Sequence, residues 1–261
     1  MLKNRLIPVL FIKDGFIVRS EAFKTHKIIG NVVNEVQRYS QWNVDELIYI
    51  DISSSGDFNS GRDDHKVPRV TNVLSALELL SKYTHMPLAF GGGIRDLENI
   101  KKYISAGADK IIVNTLIFED PNILREAVSI YGSQAVICCI DYTYCGGAFE
   151  FFSNSGTVKQ DCTPDQLVQR LEKIGCGEVM LHNIARDGAA EGFDEAGICE
   201  LTNLMPMPVI ICGGAGAVFD FEEIAAVQGI SAVAAGNFFH FTENAYPRVK
   251  AKLKDKGFNY R

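Results

Sequence analysis

The sequence predicts an α/β fold, a (β/α)8 TIM barrel in which residues 1–261 form one domain. Short apolar runs alternate along the chain with longer amphipathic segments, a pattern typical of parallel strands joined by helices. The two halves, about residues 1–131 and 132–261, carry glycine-rich turns at corresponding strand ends. This repetition predicts a barrel built of two half-barrel repeats.

Eight strand–helix units are predicted in chain order. The strands are apolar on both faces, and the helices carry an apolar stripe, such as Val73, Leu74, Leu77 and Leu80. The strands are predicted at residues 6–12, 47–52, 87–90, 110–113, 135–140, 178–181, 209–212 and 232–235. The helices are predicted at residues 32–39, 70–83, 97–105, 121–131, 164–174, 195–204, 221–227 and 245–254. A doubly wound open sheet is the alternative, but its dinucleotide fingerprint after the first strand is absent.

Glycine turns at two strand ends predict anion sites. The third strand runs into residues 91–93, three glycines, and the seventh into Gly213 and Gly214. Glycine lets backbone N–H groups approach an anion closely, and a following helix N-terminus adds partial positive charge. Asn114-Thr115 and Gly236-Asn237 end the fourth and eighth strands in the same way. Each half-barrel would therefore hold one phosphate of a ligand that carries a phosphate at either end.

Two long loops lie at the same predicted face. Residues 53–68 are polar and too long for an ordinary turn, and residues 142–157 are predicted to form a hairpin around Gly146-Gly147. Long loops at this face are lids, specificity elements or simple surface loops, and His65 is predicted to be a solvated surface residue.

Composition limits the possible partners and the compartment. The chain is 47% hydrophobic and 22% charged with a net charge of −6, which excludes a broad basic surface for nucleic acid or membranes. Residues 1–12 predict a strand better than a signal peptide, and we expect a cytoplasmic protein. The cysteines show no zinc-like spacing, so we expect no metal and no cofactor. The seven are Cys138, Cys139, Cys145, Cys162, Cys176, Cys199 and Cys212.

Several motifs together resemble those of one family, the cyclase subunit of imidazole glycerol phosphate synthase, and the resemblance covers essentially the whole chain. They are Phe90-Gly91-Gly92-Gly93-Ile94, Asp109-Lys110 followed by Asn114-Thr115, Arg186-Asp187-Gly188 with Gly192-Phe193-Asp194, Gly213-Gly214-Ala215-Gly216 and Phe239-His240-Phe241.

The resemblance implies a TIM barrel of two half-barrels that binds a bis-phosphate substrate (PRFAR) across its C-terminal face. A glutaminase docks on the opposite, N-terminal face and supplies ammonia through the barrel. One phosphate would be held by Gly93, Asn114 and Thr115, and the other by Gly188, Gly214, Gly236 and Asn237.

The ammonia route of the family begins at a charged gate, which is matched here by Arg5, Glu46, Lys110 and Glu178. Each stands at the start of a predicted strand. Strand alternation places Lys110 on the face of Asn114, and Glu178 on the face of His182. Unpaired charges inside a barrel are costly, so the two bases and two acids should form a closed ring. Asp109 matches a family position that faces the glutaminase.

The acid–base pair of the family is only half present. The family uses aspartates on the first and fifth strands; Asp141 matches the second of these, but Phe11 stands in place of the first. Phenylalanine cannot transfer a proton, a contribution that is typically about 10²–10⁴-fold. Asp187 and His182 could assist Asp141. His182 and Ala185 also depart from the family pattern, and Arg19 replaces its first-loop lysine.

Three functions fit this pattern. The retained phosphate and gate residues with Phe11 resemble a paralogous branch that supplies ammonia to a sugar-amidating enzyme acting on surface glycans. The alternatives are an active cyclase of histidine biosynthesis, which forms imidazole glycerol phosphate and AICAR, and a non-catalytic ammonia-conduit scaffold. A related double-half-barrel isomerase fits less well, since it needs a first-strand aspartate and no charged gate.

Overall fold

The structure is a computed structural model that describes residues 3–21, 24–53, 58, 70–241 and 244–261. Strands alternate with helices along most of this length, as the sequence predicts. The strands are β1 (Arg5–Lys13), β2 (Phe16–Glu21), β3 (Thr25–Asn31), β4 (Leu47–Asp51), β5 (Leu88–Gly91), β6 (Lys110–Val113), β7 (Val136–Cys145), β8 (Ala148–Ser153), β9 (Val158–Gln160), β10 (Glu178–Asn183), β11 (Val209–Cys212) and β12 (Ile230–Ala235).

Eight of these strands close a parallel barrel. The pairs run β1–β4–β5–β6–β7–β10–β11–β12, and β12 returns to β1 with Arg5 opposite Ala232. The predicted (β/α)8 TIM barrel is therefore confirmed, and the open-sheet alternative is wrong. The division into two half-barrel repeats stays a prediction.

The helices that follow the barrel strands agree closely with the prediction. The longer ones are α1 (Val32–Gln41), α2 (Val73–Tyr83), α3 (Leu97–Ser105), α5 (Pro121–Tyr131), α6 (Pro164–Ile174), α7 (Glu195–Leu204), α8 (Val218–Ala225) and α10 (Ala245–Asp255). Two short helices that the sequence analysis left unassigned are α4 (Thr115–Glu119) and α9 (Asn237–Phe241). Both begin directly after a barrel strand, within the two predicted phosphate motifs.

Local signals explain the sharp helix ends. The Asp96 side chain accepts a hydrogen bond from the Asn99 amide and so caps α3. At α6, Thr163 and Gln166 form a capping box, and Gly175 ends the helix in the left-handed conformation. These caps fix the residues at which α3 begins and at which α6 begins and ends.

The barrel separates two cores. On β1, Leu6, Leu10 and Ile12 pack outward against the helices, while Ile7 and Val9 point into the barrel. The interior core is apolar and receives side chains from all eight barrel strands and, through Val18, from β2. Its members are Ile7, Val9, Phe11, Val18, Ile48, Ala89, Ile112, Ile137, Cys139, Met180, Ile210, Cys212, Ala232 and Ala234. The alternation that the sequence predicts along each strand is thus present.

Antiparallel hairpins extend two barrel strands. The predicted hairpin after the fifth barrel strand is confirmed, because β7 pairs with β8 with Cys145 opposite Ala148. Strand β3 pairs with β2, and β2 pairs with β1 in a second hairpin, β1–β2, that was not predicted. Its turn is Asp14-Gly15, and both residues have positive φ, 51° and 85°. An Asp-Gly pair between apolar runs is a hairpin signal that could have identified it.

The long loop predicted at residues 53–68, with His65, lies outside the described residues except for Ser53 and Phe58. In the described part of the chain, the helices are too short or too polar to span a membrane.

Candidate functional site

The first predicted phosphate set lines a cavity at the carboxyl ends of the strands. Gly93, Asn114 and Thr115 border this cavity, which reaches down to Asp141 and His182. The Asn114 amide donates to the carbonyls of Cys139 and Phe152, both at 3.1 Å, and so ties the end of β6 to β7 and β8. The Thr115 hydroxyl accepts the Asn154 amide at 3.2 Å. The structure therefore brings these three residues together.

The glycine turn itself allows a close approach of two chain segments. Gly92 has φ +107°, and a Cβ atom there would lie 2.0 Å from the Asp51 carbonyl oxygen. We expect Gly92→Ala to lower the free energy of unfolding by about 3 kcal/mol, because strain and overpacking add. Gly146→Ala is the matched control: its φ is +60° and open space surrounds it, so about 1 kcal/mol is expected. Urea unfolding of both variants measures the difference, and equal losses would contradict the close approach.

The second predicted set consists of Gly188, Gly214, Gly236 and Asn237. The Asn237 amide donates to the Ser20 carbonyl at 2.6 Å, and Gly188 packs against both groups. Gly214 contacts the backbone of Gly192, whose amide donates to the Gly214 carbonyl at 2.9 Å. Strand β2 therefore lies against part of this set, an arrangement that could not be read from the glycines alone.

A buried acid–histidine cluster lies at the floor of the cavity. The register of β7 and β10 places His182 opposite Asp141, with Nδ1 3.2 Å from Oδ1. Its Nε2 lies 3.8 Å from an Asp187 carboxylate oxygen. The thiol of Cys139 is 3.6 Å from the same Asp141 oxygen. The structure thus joins the two predicted catalytic aspartates, Asp141 and Asp187, through one imidazole.

The cluster favours a charged imidazole. Burial of His182 opposes its positive charge, but hydrogen bonds and charges from Asp141 and Asp187 outweigh it and raise its pKa to about 10. At neutral pH the histidine is therefore protonated and can act as a proton donor but not as a proton acceptor.

Phe11 occupies the place at which the family resemblance implies a carboxylate. Its ring is 3% exposed and stacks on His182, with centroids 6.4 Å apart and planes 29° apart. It faces the cluster from β1, so no proton can be transferred from this side. Arg19, on β2, forms an ion pair with Glu21 and lies over the ring of Phe241.

At the opposite end of the barrel, four charged side chains form a closed ring. They are Arg5, Glu46, Lys110 and Glu178. Arg5 binds Glu46 at 2.5 Å and Glu178 at 2.6 Å. Lys110 binds the same two carboxylates at 2.8 and 3.1 Å. The family resemblance and strand parity together predict this ring; its role as an ammonia gate stays a prediction.

Two further carboxylates anchor the strands next to the ring. The exposed Asp109 accepts the amide of Leu88 at 2.8 Å, at the start of β5. Asp45, which the sequence analysis missed, accepts the amide of Leu6 at 3.0 Å and an ammonium hydrogen bond from Lys250 at 2.7 Å. Both residues immediately precede a member of the ring, which is the signal that could have identified Asp45.

Comparison with known proteins now places the chain. Residues 5–245 match the family described as "Histidine biosynthesis protein". The chain belongs to this family. A protein of Vibrio vulnificus provisionally named imidazole glycerol phosphate synthase subunit hisF2 is 33% identical, over all of this chain and 92% of its own length. The HisF subunit of Natranaerobius thermophilus is 30% identical over the full length of both chains.

The cavity of this chain contains one more acid that the sequence analysis did not single out. Asp51 ends β4 and lines the cavity with Asp141. Burial raises its pKa, although its carboxylate accepts a hydrogen bond from the Ser53 hydroxyl at 2.6 Å. Its place at the carboxyl end of a barrel strand is the signal that could have identified it, since barrel enzymes place their functional groups there.

Proposed function

We propose that this chain is a cyclase-subunit-type protein that receives ammonia from a HisH-like glutaminase on its N-terminal face. The ammonia would pass through the barrel to a phosphorylated ligand at the C-terminal face. There it would serve a paralogous reaction, the amidation of surface-glycan sugars by a further enzyme, in place of imidazole glycerol phosphate formation. The observation that carries this proposal is Phe11 stacked on His182 while the ring and the first phosphate set are retained.

The charged ring at the amino end of the barrel and the apolar interior support the ammonia route. Four charges surround the interior at the amino ends of the strands, and the interior beyond them is apolar. Desolvation strongly disfavours ammonium in such an interior and penalises neutral ammonia far less. The small side chains of Ala89, Ala232 and Ala234 fill less of the interior than larger side chains would. A ring of this kind therefore suits a passage that admits the neutral molecule.

The phosphate end supports a ligand of the family type. Gly93 and Thr115 border the cavity together with Arg95, whose charge suits a phosphate group. The same cavity reaches Asp141, so a ligand held by its phosphate would extend toward the acid–histidine cluster. Relatives named hisF2 in Pseudomonas aeruginosa and Campylobacter jejuni, 35% and 34% identical, carry a name distinct from the HisF subunits. That distinction is consistent with a paralogous role.

The alternative is an active cyclase, which is favoured by Asp141 and its hydrogen bond to His182 at 3.2 Å. Turnover of the bis-phosphate substrate PRFAR with an ammonium salt, without a partner, separates the two functions. We expect imidazole glycerol phosphate formation about 10²–10⁴-fold slower than by the Natranaerobius HisF subunit assayed in parallel, because one proton-transfer group is missing. A rate within a few fold of that subunit would overturn the paralogue proposal and favour the cyclase.

A further inference from the structure

The acid–histidine cluster also has the composition and geometry of a metal site. Cys139 and Asp141 are two residues apart on β7 and both point into the barrel mouth, and His182 faces Asp141 from β10. One donor atom of each, a sulfur, an oxygen and a nitrogen, lies within 4.8 Å of the other two. Such a mixed set of thiol, carboxylate and imidazole is the ligand type that zinc prefers.

Two of the three distances between the donor atoms match those around a single ion, and the third, from sulfur to nitrogen, lies within 4.8 Å. Zinc binds sulfur at about 2.3 Å and nitrogen or oxygen at about 2.0–2.1 Å in a tetrahedron, which sets a sulfur–oxygen edge of about 3.5 Å and a nitrogen–oxygen edge of about 3.3 Å. The Cys139 sulfur is 3.6 Å from Asp141 Oδ1, and His182 Nδ1 is 3.2 Å from it. An ion could therefore bind with little change in these two distances.

The surroundings match an open metal site rather than a closed one. All three side chains are more than nine-tenths buried, yet all three line the cavity. A fourth position would thus face the ligand space, as in catalytic zinc sites. Asp187 lies 3.8 Å from Nε2 of His182, the second ring nitrogen, where metal-bound histidines commonly meet a carboxylate.

We propose that Cys139, Asp141 and His182 bind a thiophilic divalent cation, most simply zinc, with its open position toward the cavity. The bound ion would polarise an oxygen of the ligand held there. The sequence expectation of no metal rested on cysteine spacing. It could not find this site because the donors come from two strands that meet only in the folded barrel.

Metal analysis of the purified full-length chain tests the site without any substrate, so it is independent of the proposed function. After growth with zinc and purification without chelators, we expect about one zinc ion per chain. Cobalt(II) added to the metal-free protein should give the near-ultraviolet sulfur-to-cobalt charge-transfer band and the visible bands of a tetrahedral complex.

Variants connect the signal to the named residues. Cys139→Ser should remove the charge-transfer band and lower cobalt affinity at least tenfold, and Asp187→Asn should lower affinity about 10–100-fold through His182. Cys145→Ser, at the exposed end of β7, is the matched control and should change neither. Wild-type protein without stoichiometric metal and without the band would overturn the proposal, as would a band that persists in Cys139→Ser. The wild-type measurement decides even where a variant fails to fold.

Discussion

Glu46→Gln should lower the free energy of unfolding by about 3 kcal/mol, because it removes one charge from a buried ion-pair ring. Glu46 is 2% exposed and binds both cations of the ring, Arg5 at 2.5 Å and Lys110 at 2.8 Å. In the variant, the buried Arg5 and the half-buried Lys110 share the single carboxylate of Glu178. Urea unfolding of the full chain measures the change.

Glu150→Gln is the matched control, since Glu150 forms an exposed ion pair with Lys159 at 2.6 Å. Exposed pairs of this kind contribute little, so no measurable change is expected. If both variants unfold at the same urea concentration, the ring does not stabilise the barrel.

The same variant separates a gate from a structural ring. If the ring controls ammonia entry as proposed, Glu46→Gln should lower glutamine-dependent product formation several-fold when a HisH-like glutaminase is bound. Formation with saturating ammonium salt should change less, since ammonia can also reach the ligand from the open cavity. Equal losses with glutamine and with ammonium would show that the ring has no role in ammonia passage.

The barrel was predictable because its signals are local. Each strand and most helices follow from a short window of residues, and caps such as Asp96 and Thr163 mark the ends. The ring was predictable because the family resemblance supplied its four members. Alternation along one strand then fixes which side chains point inward, as for Lys110 and Asn114. The β1–β2 hairpin was missed although Asp14-Gly15 signals its turn.

The floor of the cavity depends on information that no single stretch contains. His182 meets Asp141 only because β7 and β10 pair in one register, 41 residues apart in the chain. A shift of one residue would turn every side chain of a strand to the other face of the sheet. The contact of Ser20 with Asn237, 217 residues away, likewise depends on how the first hairpin folds back. Sequence patterns identify such residues one at a time but not their contacts.

Phe11→Asp should raise imidazole glycerol phosphate formation from PRFAR and ammonium by about 100-fold or more, since general acid–base catalysis typically contributes about 10²–10⁴-fold. The introduced carboxylate would lie beside the acid–histidine cluster, in place of a ring that now stacks on His182. Without a metal ion bound, His182 is protonated at neutral pH and would compensate the added negative charge. The measurement is steady-state turnover of PRFAR with saturating ammonium salt.

Phe11→Asn is the matched control. It removes the same ring and introduces a side chain of the same shape as aspartate, but this side chain cannot transfer a proton at neutral pH. Both variants lose the packing of a buried phenylalanine, about 3–5 kcal/mol by comparison with Phe→Ala changes, so rates are compared where both are folded. A gain in both variants would show that the ring blocks the ligand rather than replacing a proton donor. No gain in either variant would show that the low activity has its cause at other departures from the family pattern. His182 and Ala185 are the first of these to change back to the residue types of the family. Only a gain confined to the aspartate variant assigns the low activity to position 11.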